Sequence, residues 1–169
     1  MRRWLAGASA LLAACAGPGA GRPGRAEYSF PRAFEASQLV AVTAGGERRE
    51  LLASVRRSGD DLQVTLFDPV FAVPVLSARA QGRTITEERL APGPRAGDGV
   101  RLVRLLRDVL SRRYAEGAGT PEAGGWAGRV RLSALPPATT PCRFPAEIEV
   151  APRGSGTIVR VRTLDVACE

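Results

Sequence analysis

Lysine and histidine are absent from the 169 residues. Without them the chain can build no Ser-His-Asp triad, no imidazole-based zinc or iron site, no Schiff-base lysine and no Walker-type phosphate lysine. Spacing nominates no catalytic carboxylate pair either. Asp60-Asp61 follows Ser58-Gly59, where acids serve as solvated turn formers, and Glu87-Glu88 reads as a solvated strand end. The sequence therefore predicts no enzyme, no cofactor and no metal site. Aromatics are scarce at 5%, and every basic residue is Arg. The net charge of +7 is spread along the chain among apolar and acidic residues, whereas phosphate binding favours a clustered patch with interleaved aromatics. No nucleic acid is expected as a partner, and the Arg, Ala, Gly and Pro richness reads as compositional bias. What is present, 44% hydrophobic and 24% charged residues, is ordinary for a globular chain, and one domain is the default at this length.

The longest apolar run, Trp4 to Ala14, follows Met1-Arg2-Arg3 and stops at Cys15. It is far shorter than the ~20 residues that a transmembrane helix needs, and a basic start with a short apolar stretch is signal-peptide grammar. Residues 1–14 are read as a signal peptide that is removed. Leu12-Ala13-Ala14-Cys15 resembles the lipobox of bacterial lipoproteins. The resemblance implies diacylglycerol on the Cys15 thiol and cleavage before it, so that Cys15 is an anchor and not a reagent. Two or three acyl chains, at ~0.8 kcal/mol per buried methylene, hold a domain on a bilayer almost permanently. The alternative is that Ala14-Cys15-Ala16 is a plain small-x-small cleavage site of an unlipidated secreted protein. By the same family analogy, Ala16 after the Cys, in place of Asp, favours delivery to the outer membrane, facing the periplasm.

Residues 15–32 are read as the lipidated Cys and a flexible tether, since Ala16 to Arg25 is almost entirely Gly, Pro, Ala and Arg and buries no core. The folded part is placed at 33–169, with no internal repeat. Phe34–Thr43 and Glu50–Arg57 read as strands around the turn Ala44–Glu47, and Leu62, Val64 and Leu66 alternate on one face of a third. Val70–Leu76 is apolar but bounded by Pro69 and broken by Pro74, which suits a strand reached through a protruding loop and not an uninterrupted central strand. Arg83–Leu90 completes five strands in meander order.

Val100, Leu102, Val103, Leu105, Leu106, Val109 and Leu110 recur at helical spacing after Asp98, a candidate cap, with Arg101, Arg104, Arg107, Arg112 and Arg113 on the other side. The Arg face reads as solvated, with anionic headgroups as the alternative. Gly117–Gly125 reads as a loop and Trp126–Ser133 as a strand with one wet face.

A closing hairpin joins Ala146–Val150 to Gly156–Val166. A register placing Glu147 opposite Arg162, Ile148 opposite Val161, Glu149 opposite Arg160 and Val150 opposite Val159 pairs the charges and gathers the apolar residues on one face. With Cys15 consumed by lipid in an oxidising compartment, Cys142 and Cys168 remain to form a disulfide. They stand at the far ends of the hairpin strands, one residue off that register, so a bulge near Pro145 is expected to bring them opposite each other.

The predicted fold is mostly β (α+β): a curved antiparallel sheet or half-barrel with one long amphipathic helix on its concave face. A lipobox, a β-meander, one long helix and closing strands, in this order, resemble the LolA/LolB-type lipoprotein-localisation fold and a family of small uncharacterised Gram-negative lipoproteins. The resemblance implies an apolar cavity that accepts acyl chains or lipoprotein cargo, with Val70-Phe71 in the place of an exposed apolar loop that assists membrane insertion. Val64, Leu66, Leu102 and Leu106 are the expected lining of a ligand site reached past Phe71, or, alternatively, a packed core. Three functional readings remain open. They are a lipid or lipoprotein carrier, an assembly lipoprotein that binds another cell-envelope protein, and an envelope hydrolase for which no residue is nominated.

Overall fold

A computed structural model describes residues 27–92, 97–115, 122–125 and 128–168. The expected signal peptide, Cys15, Ala16 and the expected tether through residue 26 lie outside the described residues. Eleven strands and one helix are present among those described: β1 (Glu27–Ser29), β2 (Ala33–Ala44), β3 (Glu47–Ser58), β4 (Asp61–Phe67), β5 (Pro74–Gln81), β6 (Thr84–Arg89), α1 (Asp98–Ser111), β7 (Arg113–Ala115), β8 (Glu122–Gly125), β9 (Gly128–Ser133), β10 (Glu147–Ala151) and β11 (Ile158–Cys168). Nine strands form one antiparallel sheet in the order β6-β5-β4-β3-β2-β11-β10-β9-β8. β6 and β8 stand at opposite edges, so the sheet is open and does not close into a barrel.

The expected meander is β2 to β6. Alternation decides its inner face: Phe34, Ala36, Gln38 and Val40 of β2, Ala53 and Val55 of β3, and Leu62, Val64 and Leu66 of β4 are all buried. The closing hairpin has the charge-paired register, with Glu147 opposite Arg162, Ile148 opposite Val161, Glu149 opposite Arg160 and Val150 opposite Val159. Arg160 Nε donates to Glu149 at 2.9 Å.

The last strand gives the molecule two distinct ends. Cys168 lies beside Phe34 at the start of β2, and Gly59 N–H of the β3–β4 turn donates to Arg32 O at 2.9 Å. The chain thus feeds into the sheet at the end that carries the β3–β4 turn and the disulfide. Because β4 runs from Asp61 at that end to Phe67, the Asp68–Val73 loop projects from the opposite end, together with the β2–β3 and β10–β11 turns.

Several expectations are corrected. The fold begins before Ala33, because β1 pairs with β7, Tyr28 opposite Tyr114, and Tyr28 and Phe30 are buried. They join Tyr114, Phe144 and Phe34 in edge-to-face and tilted contacts with ring centroids 4.9 to 6.3 Å apart. This cluster closes the entry end beneath the sheet. Within the expected loop 117–125, Glu122–Gly125 forms β8 and pairs with β9. The helix ends at Ser111, so Arg112 and Arg113 leave its wet face: Arg112 is a largely covered partner of Asp108, and Arg113 belongs to β7.

Cys142 and Cys168 are bonded, with Sγ atoms 2.02 Å and Cα atoms 5.4 Å apart. Cys142 sits in the irregular connection ahead of β10, not on a hairpin strand. The irregularity that accommodates it lies in β11, between Thr163 and Asp165. There Thr163 turns to the connection, donating from N–H to Ala146 O and from Oγ1 to Pro145 O, both at 2.9 Å.

Candidate apolar site beneath the helix

The concave face of the sheet and one side of α1 enclose an apolar interior. Val64 and Leu66 from β4, Val40 from β2, Val150 from β10 and Val161 from β11 face Leu102, Leu105 and Leu106 of α1 across it. The cavity left between them measures about 30 Å³, room for about two water molecules. Ligand sites commonly need ~300 Å³ or more. An acyl chain therefore fits only if α1 moves away from the sheet.

The coverage by α1 is uneven. The helix packs on β4, β5 and β6, one flank of the sheet. Val103, Val109 and Leu110 are buried, whereas Leu102, Leu105 and Leu106 are only partly covered, as are Val42, Leu51, Val75 and Val159. Val42, Leu51 and Val159 lie at the end from which the Asp68–Val73 loop projects. The interior is sealed at the entry end by aromatics and thinly covered at the loop end.

The helix is fastened to the sheet at both ends by ionic groups matched to its dipole. Asp98 does not cap it. The cap position is Gly97, in the left-handed region at φ 84° and without a side-chain hydrogen bond from its own residue. Glu87 reaches from β6 instead, and its carboxylate accepts from the N–H groups of Gly97 at 2.6 Å, Gly99 at 2.9 Å and Val100 at 3.3 Å. These bonds, Gly97's foremost, hold its pKa below the ordinary carboxylate value against an opposing effect of desolvation. The expectation of a solvated Glu87 is corrected accordingly. At the other end, Arg57 of β3 donates from Nη1 to Leu110 O at 3.0 Å and Pro31 O at 3.3 Å. Arg107 Nη2 donates to Gly82 O at 2.7 Å. Close approach is permitted by Gly99, where a Cβ would fall 2.9 Å from the Ala78 Cβ.

The loop between β4 and β5 is rigidly built. Asp68 Oδ1 accepts from Val70 N–H at 2.8 Å and Phe71 N–H at 2.9 Å, as short Asx turns do. Asp68 N–H donates to Val73 O and Ala72 N–H to Asp68 O, each at 2.9 Å, with Ala72 at φ 52°. These bonds hold an apolar tip in water, Val70 78% and Phe71 76% exposed.

Of the residues expected to form the ligand site, Val64, Leu66, Leu102 and Leu106 are brought together. Phe71 is not among the lining; it stands outside on the loop. Sequence reading missed Gln38, a polar residue 3% exposed on the inner face of β2 that also lines the cavity. The signal was legible: Phe34, Ala36, Gln38, Val40 and Val42 alternate on one face, and a single polar member interrupts it. Among the described residues, no group of acids and cysteines is arranged to hold a metal, and no helix is long and apolar enough to cross a membrane.

No family model and no curated protein matches the chain. Among solved structures it is similar to the LolA superfamily protein NE2245 from Nitrosomonas europaea, at 13% identity and a TM-score of 0.51, over 83% of this chain and 88% of that one. A DUF1329 family protein from Desulfovibrio piger aligns over 82% of this chain and 86% of its own, at 6% identity and a TM-score of 0.40. The first likeness establishes a LolA-like fold.

Proposed function

We propose that this chain is a lipoprotein, anchored through Cys15 to the outer membrane and facing the periplasm, that holds acyl chains of lipid or lipoprotein cargo between α1 and the sheet. The observation that carries this reading is the uneven cover of the interior. A helix fastened at its two ends lies over an apolar face, its Leu102, Leu105 and Leu106 only partly covered. The thin cover lies toward the end where Val70 and Phe71 stand in water. Large apolar side chains held rigidly in solvent mark contact with a membrane or an apolar partner. The LolA-like fold and the Leu12-Ala13-Ala14-Cys15 sequence support the same reading.

The test is uptake of a fluorescent acyl probe by the domain without its lipid, compared with Phe71→Glu. Uptake that falls several-fold in Phe71→Glu, at unchanged melting temperature, is the expected outcome. Cys15→Ser should release the protein from membranes, and an intact mass showing cleavage after Ala16 without lipid would remove the anchor from the proposal. An assembly lipoprotein that uses the same loop to grip another envelope protein is the second reading, favoured by a cavity of only about 30 Å³. It takes over if no acyl probe binds.

A further inference from the structure

The cavity lining is apolar except for Gln38. Its side chain is 3% exposed and points into the interior from the middle of β2, and no hydrogen bond ties its amide to another side chain or to the backbone among the described residues. The polar atoms of the amide are not fully enclosed, but an amide without a side-chain or backbone partner in an apolar lining is costly, and the site is not one where the sheet demands it. Across the ladder stands Ala53, whose small side chain leaves space beside the amide. On the other side stands Thr163, at the edge of the β11 irregularity, its hydroxyl turned to Pro145 O. An apolar residue of similar size would fill the position at no such cost.

We infer that Gln38 is the polar anchor of the chamber, hydrogen-bonding an uncharged oxygen, ester carbonyl or hydroxyl, carried on the apolar chain that enters beneath α1. The inference rests on acyl-chain binding between α1 and the sheet. An amide both donates and accepts, so it satisfies a carbonyl through its N–H and a hydroxyl through either group. It cannot neutralise a carboxylate. No charged side chain lines the cavity among the described residues, and Arg57, further along the same strand as Ala53, is engaged with the backbone carbonyls of Pro31 and Leu110. A carboxylate drawn to Gln38 would lose its hydration without a counter-charge, so the chamber selects neutral head groups over a free fatty acid anion.

The test uses the full chain carrying Cys15→Ser, loaded with diphenylhexatriene, a hydrocarbon probe without polar atoms. The displacing ligands share one chain length: dodecanol, methyl laurate and laurate at pH 8. Dodecanol and methyl laurate should displace the probe at concentrations about tenfold below laurate. If only one of the two does so, it identifies which neutral oxygen Gln38 takes. In Gln38→Leu and in Gln38→Met the advantage of the neutral ligands should fall about tenfold, the factor that corresponds to one hydrogen bond of roughly 1.4 kcal/mol, while probe binding is retained. Both variants should melt at or above the parent temperature, since they replace a nearly covered amide, without a side-chain or backbone partner, by an apolar side chain. Neutral ligands that displace equally well from parent and variants, or variants that melt lower because Gln38 holds the native fold, would overturn the assignment and leave acyl binding standing. Failure of the parent to bind diphenylhexatriene at all would overturn acyl binding, and the role of Gln38 with it.

Discussion

At the residue scale, the most consequential side chain is Glu87, which satisfies the first turn of α1 from a neighbouring strand. Glu87→Ala should lower the melting temperature and raise hydrogen exchange of the Gly99 and Val100 amides by an order of magnitude or more, read by NMR. The pH dependence follows from the sign of its shift. A carboxylate held below its ordinary pKa contributes stability that is complete above that ordinary value and is lost as pH falls through the lowered one. Protection of these amides should therefore be flat through neutral pH and collapse only in acid below the usual carboxylate range. The cysteine pair makes a separate prediction: replacing Cys142 and Cys168 together by Ala opens a loop whose ends are 26 residues apart, at a cost of about 3 kcal/mol in chemical denaturation. The pair was legible from chemistry alone, by elimination of Cys15. Glu87 was not, because strand periodicity says nothing about which helix terminus will come to rest on a strand.

At the scale of elements, what was legible is what repeats locally. The alternation of β4, the spacing of leucines in α1 and the complementary charges of β10 and β11 each carry their partner's address within a short stretch. β1 and β7 carry no such signal. Each is three residues long, too short for a period, and their pairing joins Tyr28 to Tyr114, far apart in the chain. Only their burial shows that Tyr28 and Phe30 belong to the core and not to the Gly/Pro-rich stretch before them. The docking of α1 can be tested by crowding it. Gly99→Val places a side chain against Ala78 and should cost roughly 1–3 kcal/mol, visible as reduced thermal stability with accelerated exchange along α1. Leu106→Ala removes a side chain that is only partly covered, so its cost should fall at the lower end of the usual range, about 2 kcal/mol.

At the scale of the whole molecule, the two ends of the sheet set a direction. The chain joins the fold beside Phe34 and Cys168, whereas Phe71 stands at the other end, beyond the length of β4, whose 7 residues span about 23 Å at ~3.3 Å each. Under the proposed anchorage through Cys15, the residues from 15 to 26 can span at most about 40 Å. An anchor joined at the entry end, as proposed, would leave the apolar tip at the far end of the sheet, like the free end of a moored float. What that tip meets first is then whatever crosses the aqueous gap toward the membrane. Shortening the tether by several residues should leave acyl uptake unchanged while keeping the protein membrane-bound, whereas a tip that dips into its own bilayer would lose contact, and uptake, with each residue removed.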